Sequence, residues 1–476
     1  MSGHGLTTSS LPDVYRPLTQ YPPLYPILIA ASSLVEPSPF QAARRLAGLI
    51  AFLNIFGVGA ILLRLIPYSI WPAIVGAIFM LLAPVMLEIH LMAWSEPLFI
   101  LLSLLAFSVL AGYFKRLKKS WLLLAAFLAS LTLLTRYAGL AIVATGMLGI
   151  ILFSRTAFNK RILKAVLYGS ISVLPLFLLL IYNQQSIGTA TNREIDFHPI
   201  TRSHFGQGLI TFSSWLGVPF QGATWIKVSL VLGFFLFLTF LSILFYRSQS
   251  DHEISGSTHN LFPPFVWLLA TFIGVYSLFL VISISFLDAN TPLDNRILSP
   301  FYVCILIITI YVLSTAISSL KTSQSSWLAT WLAGIFIFVY AATSIPMIRA
   351  YHTTGIGFST LAWKNSELIE LAMELPEPLA IYSNAPEAIN LHAARSAASL
   401  ARVFEQASQQ YNLGLAADMN VLGAQMAKGK AVIIFFDQPG RMSKPNISDI
   451  QETLNLKIQS QSKDGWIYVL ADSSRD

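Results

Sequence analysis

Two carboxylates and an imidazole stand close together in Glu88-Ile-His90 and Trp94-Ser95-Glu96-Pro97. Such a set could ligate a hard divalent cation, or supply a general base. A structural reading stands beside it. Glu96 and Pro97 suit the start of a helix, where an acid complements the dipole and Ser95 can cap; His90 alone reads as an interfacial histidine. A second group is Asp288-Ala-Asn-Thr-Pro-Leu-Asp294-Asn-Arg296, a compact loop between two apolar runs. Arg296 could grip a phosphate, because its planar fork pairs bidentately with phosphate oxygens, with Asp294 orienting it. The alternative is a solvated turn with Asp capping and an Arg snorkelling at an interface. In a third group, Arg136-Tyr137, the arginine is either a tip charge reaching water or a second phosphate contact. Gln20-Tyr-Pro-Pro-Leu-Tyr-Pro26 fits the first turn of an amphipathic or re-entrant helix, and adds Tyr21 and Tyr25 to the candidates.

Other chemistries lack their residues. Cys304 is the lone cysteine, so thiolate zinc or iron–sulfur sites and disulfides are excluded. No nucleophile elbow or glycine-rich phosphate loop occurs. The 184–222 segment carries Arg193, Glu194, Asp196, His198, Arg202 and His204 and is too long for a passive connection, yet its H-x5-H spacing specifies no metal.

The elements that must position these groups are apolar. Of 476 residues, 55% are hydrophobic and 11% charged, against roughly 25% charged in soluble domains. Mean hydropathy is +0.65. Uncharged runs long enough to span a bilayer lie near 47–63, 70–87, 97–114, 165–182, 228–246, 263–287, 297–320 and 327–348. The stretch 121–154 is too long for one span and is interrupted at Arg136; it reads as a hairpin of two tight spans, 121–135 and 137–154, the alternative being one tilted helix. The fold class is therefore mainly α, a polytopic membrane protein of about ten transmembrane helices over 1–349. Residues 350–476 have soluble composition and read as a small α/β domain. It has strands at 379–383 and 431–436, helices at 386–395, 396–410 and 447–455, and a β pair at 457–470.

Charge supplies a topology. Residues 1–349 hold 20 Lys+Arg against 10 Asp+Glu, and 350–476 hold 10 against 13. Lys115, Arg116, Lys118 and Lys119 precede the hairpin and Arg155, Lys160, Arg161 and Lys164 follow it, which puts both clusters on the cytoplasmic side. Residues 1–46, 88–96, 183–227, 288–296 and the C-terminal domain then fall outside, as expected of a plasma or inner membrane protein. The basic excess reports loops beside lipid, not a nucleic-acid partner. Residues 1–46 lie outside with no signal segment before them, and the expectation is that a first helix precedes the given start.

Four segments in order carry a resemblance: SGHGLTTSS…PLTQYPPLYPILIA, MAWSEPLFILLSLLAF, LLAAFLASLTLLTRYAGLAIV and DNRILSPFYVCIL. Together they resemble bacterial GT-C-type glycosyltransferases. These are relatives of dolichyl-phosphate-mannose protein mannosyltransferases, aminoarabinose transferases and rhizobial lipopolysaccharide uronosyltransferases. The resemblance covers most of 1–349, and 350–476 resembles the small extracytoplasmic domain that many members append. It implies a GT-C fold and transfer of a sugar from a polyprenyl-phosphate carrier at the outer face. An acidic general base would activate the acceptor, and cations or a divalent metal would hold the leaving phosphate. By position, Glu96 and Glu88 resemble acids of the second outer loop, and Arg296 the basic residue of the late outer loop that meets the carrier. The family's first transmembrane helix and the acid after it are not in this sequence, whose G-x-G-L stretch begins at Gly3; Asp13 lies downstream and does not take that role. This departure implies a truncated, inactive form as one outcome.

The leading expectation is thus a lipid-linked-sugar glycosyltransferase with Glu96, Glu88 and Asp294 as catalytic candidates. Arg296, Arg136 and Tyr137 would meet the carrier phosphate, and His90, Asp288, Tyr21 and Tyr25 are further candidates at the same face. Partners are the donor lipid, membrane lipids and a lipid, polysaccharide or protein acceptor. The alternative is a non-catalytic transporter or assembly factor with a GT-C-like shell. A transporter is expected to carry ionisable residues at the midplane, whereas here the acids gather at one face.

Overall fold

A computed structural model of the chain describes residues 7–11, 14–19, 21–36, 38–191, 195–217, 223–250, 263–320, 323–405, 410–437, 447–451 and 453–471. Gly3, Asp13, Arg193, Glu194 and Lys321 lie outside these residues.

The chain opens with a hairpin of β1 (Thr7–Leu11) and β2 (Val14–Pro17), then a short helix α1 (Leu24–Ser32). Twelve helices follow. They are α2 (Pro39–Leu65), α3 (Trp71–Leu82), α4 (Pro84–Leu91), α5 (Glu96–Arg116), α6 (Lys119–Thr135), α7 (Gly139–Phe153) and α8 (Phe158–Ile187). Next come α9 (Arg202–Trp215), α10 (Thr224–Ser250), α11 (Pro264–Phe286), α12 (Asn295–Leu320) and α13 (Ser323–Thr354). Each apolar run expected from the sequence is helical. The number of spans is corrected. Among the described residues six helices, α2, α5, α8, α11, α12 and α13, are long and apolar enough to cross a membrane, and the α3–α4 pair makes a seventh if counted as one span. Helices α6 and α7 have 17 and 15 residues. At about 1.5 Å per residue each falls short of a hydrocarbon core of roughly 30 Å.

Local chemistry explains the breaks. Pro84 forces Ala83 into an extended conformation (ψ 126°), and α4 leaves α3 at 57°. The α6–α7 hairpin turns at Arg136, itself extended, as the sequence reading placed it. Gly139 is required there: a Cβ would stand 2.5 Å from the backbone nitrogen of Leu133. In α12, Pro300 leaves the Arg296 carbonyl without its helical donor, and the Ser299 hydroxyl donates to it at 2.9 Å. Helices α5 and α12 are the most enclosed, with 67% of their most apolar windows buried against 11% for α13. They run through the centre of one large core that includes Phe99, Phe107, Tyr276 and Tyr302.

Helix α13 continues past residue 349 to Thr354 and leads into a mixed α/β region. In order this holds α14 (Leu361–Lys364), α15 (Glu367–Glu374), β3 (Ala380–Ser383), α16 (Pro386–His392) and β4 (Ala397–Ser399). Then come β5 (Phe404–Glu405), β6 (Gln410–Tyr411), α17 (Leu415–Ala427), β7 (Ala431–Phe436), α18 (Ile447–Gln451), β8 (Leu456–Ser462) and β9 (Gly465–Leu470). The sheet order is β4-β3-β7-β9-β8, parallel among the first three strands and antiparallel thereafter. The described residues of the expected helix at 396–410 are not helical. Ala397 and Ala398 are buried in β4 instead, where pairing with β3 overrides alanine's helix propensity. The helix nearby is α17, which the sequence reading did not place.

Candidate functional site

One buried carboxylate organises the site. Glu96 is the first residue of α5 and is only 1% exposed. Its Oε1 accepts from Arg136 Nη1 and, at 2.5 Å, from Arg296 Nε. Arg136 Nη1 also donates to the Ser95 hydroxyl at 3.2 Å. Ser95 makes no side-chain cap to α5, so the capping reading of that serine is replaced by this contact. The Arg296 guanidinium lies 4.9 Å from the Trp94 ring centre. Glu96 Oε2 is buried without a hydrogen-bond partner among the described residues. Three of the sequence candidates, 96, 136 and 296, are therefore brought together from α5, the α6–α7 turn and α12.

The setting is electrostatically unusual. The starts of α5 (Glu96), α7 (Gly139) and α12 (Asn295) all meet here. Helix N-termini carry a partial positive charge that disfavours cations. Arg296 nevertheless stands in the first turn of α12, and Arg136 stands at the C-cap of α6 beside the start of α7, both paired with the Glu96 carboxylate. That combination is suited to an anion.

The second acid lies alongside. Glu88 Oε2 accepts from Asn295 Nδ2 at 3.0 Å, so the first two residues of α12, Asn295 and Arg296, hold the two acids of the α4–α5 region. Asn295 Oδ1 in turn accepts from Trp215 Nε1 at 3.0 Å. Asp294 caps α12, accepting from the Ile297 N–H at 3.0 Å. Burial holds its carboxyl above the ordinary carboxylate range, opposed by that N–H and by the nearby Arg296 charge. The group that fixes Arg296 is thus Glu96, where the sequence reading had Asp294.

The remaining candidates serve the frame. His90 Nδ1 stands 2.7 Å from the Met86 carbonyl, which makes it the protonated nitrogen; Nε2 then accepts from Asn54 Nδ2 at 3.1 Å. Asn54 Nδ2 also donates to the Pro97 carbonyl at 2.9 Å, tying α2 to the start of α5. Tyr137 donates to the Thr19 carbonyl at 3.1 Å and anchors the strand-to-helix connection ahead of α1. Tyr25 is buried against Ile50, Leu98 and Leu102, whereas Tyr21 is 53% exposed. Asp288 accepts from the Asn290 N–H at 3.0 Å in a local turn. In the long segment, His204 reaches the Ala289 carbonyl at 3.0 Å and Gln207 accepts from the Leu293 N–H at 3.1 Å, so α9 braces the loop before α12.

Among the described residues no group of three or more His, Cys, Asp or Glu could hold a metal ion. The candidate donors are engaged elsewhere: Glu96 by two arginines, Glu88 by Asn295, and both nitrogens of His90. The residues present do not fit the divalent cation considered from sequence. Sequence reasoning missed Asn54, Asn295 and Trp215. The signal for Asn54 was an amide inside an otherwise apolar run; Asn295 lay inside the quoted D-N-R.

No family model and no curated protein matches the chain. Among solved structures it is similar to the crystal structure of ArnT from Cupriavidus metallidurans in the apo state. That match has a TM-score of 0.53 and 12% identity, covering 94% of this chain and 87% of that one. The chain is a mainly helical, polytopic membrane protein with a C-terminal mixed α/β sheet, ArnT-like in fold.

Proposed function

We propose that this protein is a membrane glycosyltransferase that moves a sugar from a polyprenyl-phosphate carrier to an acceptor at the outer face of the plasma or inner membrane. The observation that carries the reading is the pair of arginines held on one buried glutamate, where the starts of α5 and α12 meet the α6–α7 turn. The ArnT-like GT-C fold and the four resembling segments support it. The positive-inside rule supports this orientation, since the basic clusters 115–119 and 155–164 lie at the ends of α5, α6 and α7 away from Glu96 and Arg136.

In this reading Arg136 and Arg296 hold the carrier phosphate. Glu96 acts as their fixed counter-ion and aims both forks before substrate arrives, so little reorganisation is left for the reaction itself. Of the three acids, Glu88 suits the general base. It is engaged by a neutral amide rather than a cation, and a carboxylate has lone pairs beyond the one Asn295 occupies. The acceptor hydroxyl attacks the anomeric carbon and passes its proton to Glu88. The carbon–oxygen bond to the carrier breaks, and the electron pair leaves with the phosphate between the arginines. Asp294 holds α12 in register, and Tyr137 ties down the segment over the hairpin turn. The acceptor is a lipid, polysaccharide or protein bearing a hydroxyl or amine.

The test is a reconstituted assay with a panel of polyprenyl-phosphate sugars, scored by release of free polyprenyl phosphate. Arg136→Ala and Arg296→Ala should each lower turnover by about 100-fold or more. Normal turnover in both variants removes the site, and absence of transfer by the native chain with every donor removes the enzyme reading in favour of the non-catalytic alternative.

A further inference from the structure

Helix α9 ends at Trp215, a buried residue far in sequence from both acids, fixed at ring and backbone. Its carbonyl accepts from the Tyr340 hydroxyl at 2.6 Å. The indole packs edge-on against Tyr302 and Phe212, with centroids 5.4 and 4.7 Å apart. Its only polar ring atom, Nε1, donates to Asn295 at 3.0 Å. An indole can donate but cannot accept. The atom of Asn295 facing it must therefore be the amide oxygen, which leaves the amide nitrogen to face Glu88. An amide nitrogen can only donate, so it favours the ionised, accepting form of that carboxylate. Without the indole, the amide is free to turn over whenever Glu88 is protonated and to accept from its carboxyl, which stabilises the neutral acid.

We propose that Trp215 is a positioning residue that sets the orientation of the Asn295 amide and thereby favours the ionised, proton-accepting form of the Glu88 carboxylate. This rests on the reading of Glu88 as the base. It also ties the base to α9 and α13, neither of which supplies a residue to the Arg–Glu cluster. The titratable groups whose charge reaches Glu88 are Asp294, ahead of α12, and Tyr351 of α13. Helix α3 has no ionisable side chain, and those of α2 are Arg44, Arg45 and Arg64, near its ends. The acid at the start of α5, Glu96, is neutralised by its two arginines.

The test titrates the carboxyl stretching band of the purified full chain that Glu88→Gln removes, by difference infrared spectroscopy. Trp215→Phe keeps an aromatic ring in the cluster but deletes the donor, and should raise the midpoint by about half to one pH unit. Asn295→Leu should raise it at least as far. Adding Trp215→Phe to Asn295→Leu should shift it no further, because the indole acts only through the amide. A purely structural role for Trp215 predicts an unmoved midpoint, or a shift that adds fully to that of Asn295→Leu; either result overturns the proposal. If Trp215→Phe does not fold, Asn295→Leu alone decides, and a native midpoint there overturns it. No donor or acceptor is used. Shifts in a chain that transfers nothing would leave this relay standing and remove the transferase reading, while transfer with unmoved midpoints would do the reverse.

Discussion

In the helical bundle, Glu96 is 1% exposed and meets two arginines; in the C-terminal sheet region, Glu367 and Lys463 stand 3.5 Å apart with 48% and 91% of their side chains exposed. The sheet region also holds a well-covered cation, Arg395, but satisfies it differently. Its guanidinium donates to the carbonyls of Leu375 at 2.6 Å and of Ala372 and Pro376 at 3.3 Å, at the C-terminal end of α15, and its one acidic neighbour among the described residues is the exposed Glu377, 3.6 Å away. A helix C-terminus attracts a cation. Arg395 thus sits where backbone electrostatics favour it, as Arg136 does at the C-cap of α6, whereas Arg296 sits in the first turn of α12, where backbone electrostatics oppose it. The bundle thus gathers two cations on one buried acid, one of them against the local field, while the sheet region's cation rests mainly on backbone carbonyls.

The largest effect should come from removing the acid. Glu96→Gln leaves two guanidinium groups without the carboxylate they share, and breaking a buried ion pair from one side typically costs about 3–5 kcal/mol. Thermal unfolding in detergent should show that loss together with loss of transfer. A variant as stable as the native chain would mean that water already screens the cluster, and the contrast with the sheet would fail. Arg395→Met is the matching test in the sheet. It leaves the α15 carbonyls without their donor and should cost about 1–3 kcal/mol, with transfer by the remaining folded protein unchanged. A fall in transfer per folded molecule would show that the sheet's cation also serves the chemistry.

The bundle was far more legible in sequence than the way its site is wired. Apolar runs of fixed length reveal helices because lipid leaves the backbone no other choice, and Arg136 inside one run revealed the hairpin. Residue types also brought Glu96, Arg136 and Arg296 forward as candidates. Their mutual pairing was hidden, because residues 96, 136 and 296 meet only through tertiary packing. Asp294 looked like the partner of Arg296 for the same reason: it is two residues away, but its carboxylate is taken by the helix N-terminus it caps. In the sheet region the strands at 380–383 and 431–436 were plain from their β-branched and aromatic runs. Ala397–Ser399 was not, since an alanine-rich segment becomes a strand only when β3 is beside it.

Asp294→Asn separates capping from charge. Asparagine caps a helix about as well as aspartate, so the bond to the Ile297 N–H is retained. Burial raises the Asp294 carboxyl, so the folded state binds this proton more tightly than the unfolded state does. Ionising it therefore costs stability as pH rises from the ordinary carboxylate range through the raised value. The asparagine variant should be at least as stable as the native chain at neutral pH, by less than the Glu96 effect, and the difference should vanish in acid. A variant less stable at neutral pH would show that attraction to Arg296 outweighs burial, and would make Asp294 a second counter-ion of the cluster.

Lys463→Ala should do least. The ammonium is almost wholly in water, and its 3.5 Å approach to Glu367 trades hydration and side-chain freedom for a screened attraction. Exposed pairs of this kind contribute between zero and about 1 kcal/mol, so unfolding should shift by no more than about half of that, and raising salt should not widen the gap. The substitution also tests the contrast drawn between the two regions. If an exposed pair in the sheet proved worth as much as the buried cluster, burial would not be what distinguishes them. A null result here beside a large one at Glu96 leaves burial, and not residue type, as what separates the two pairs, since the residue types in the two places are so nearly the same.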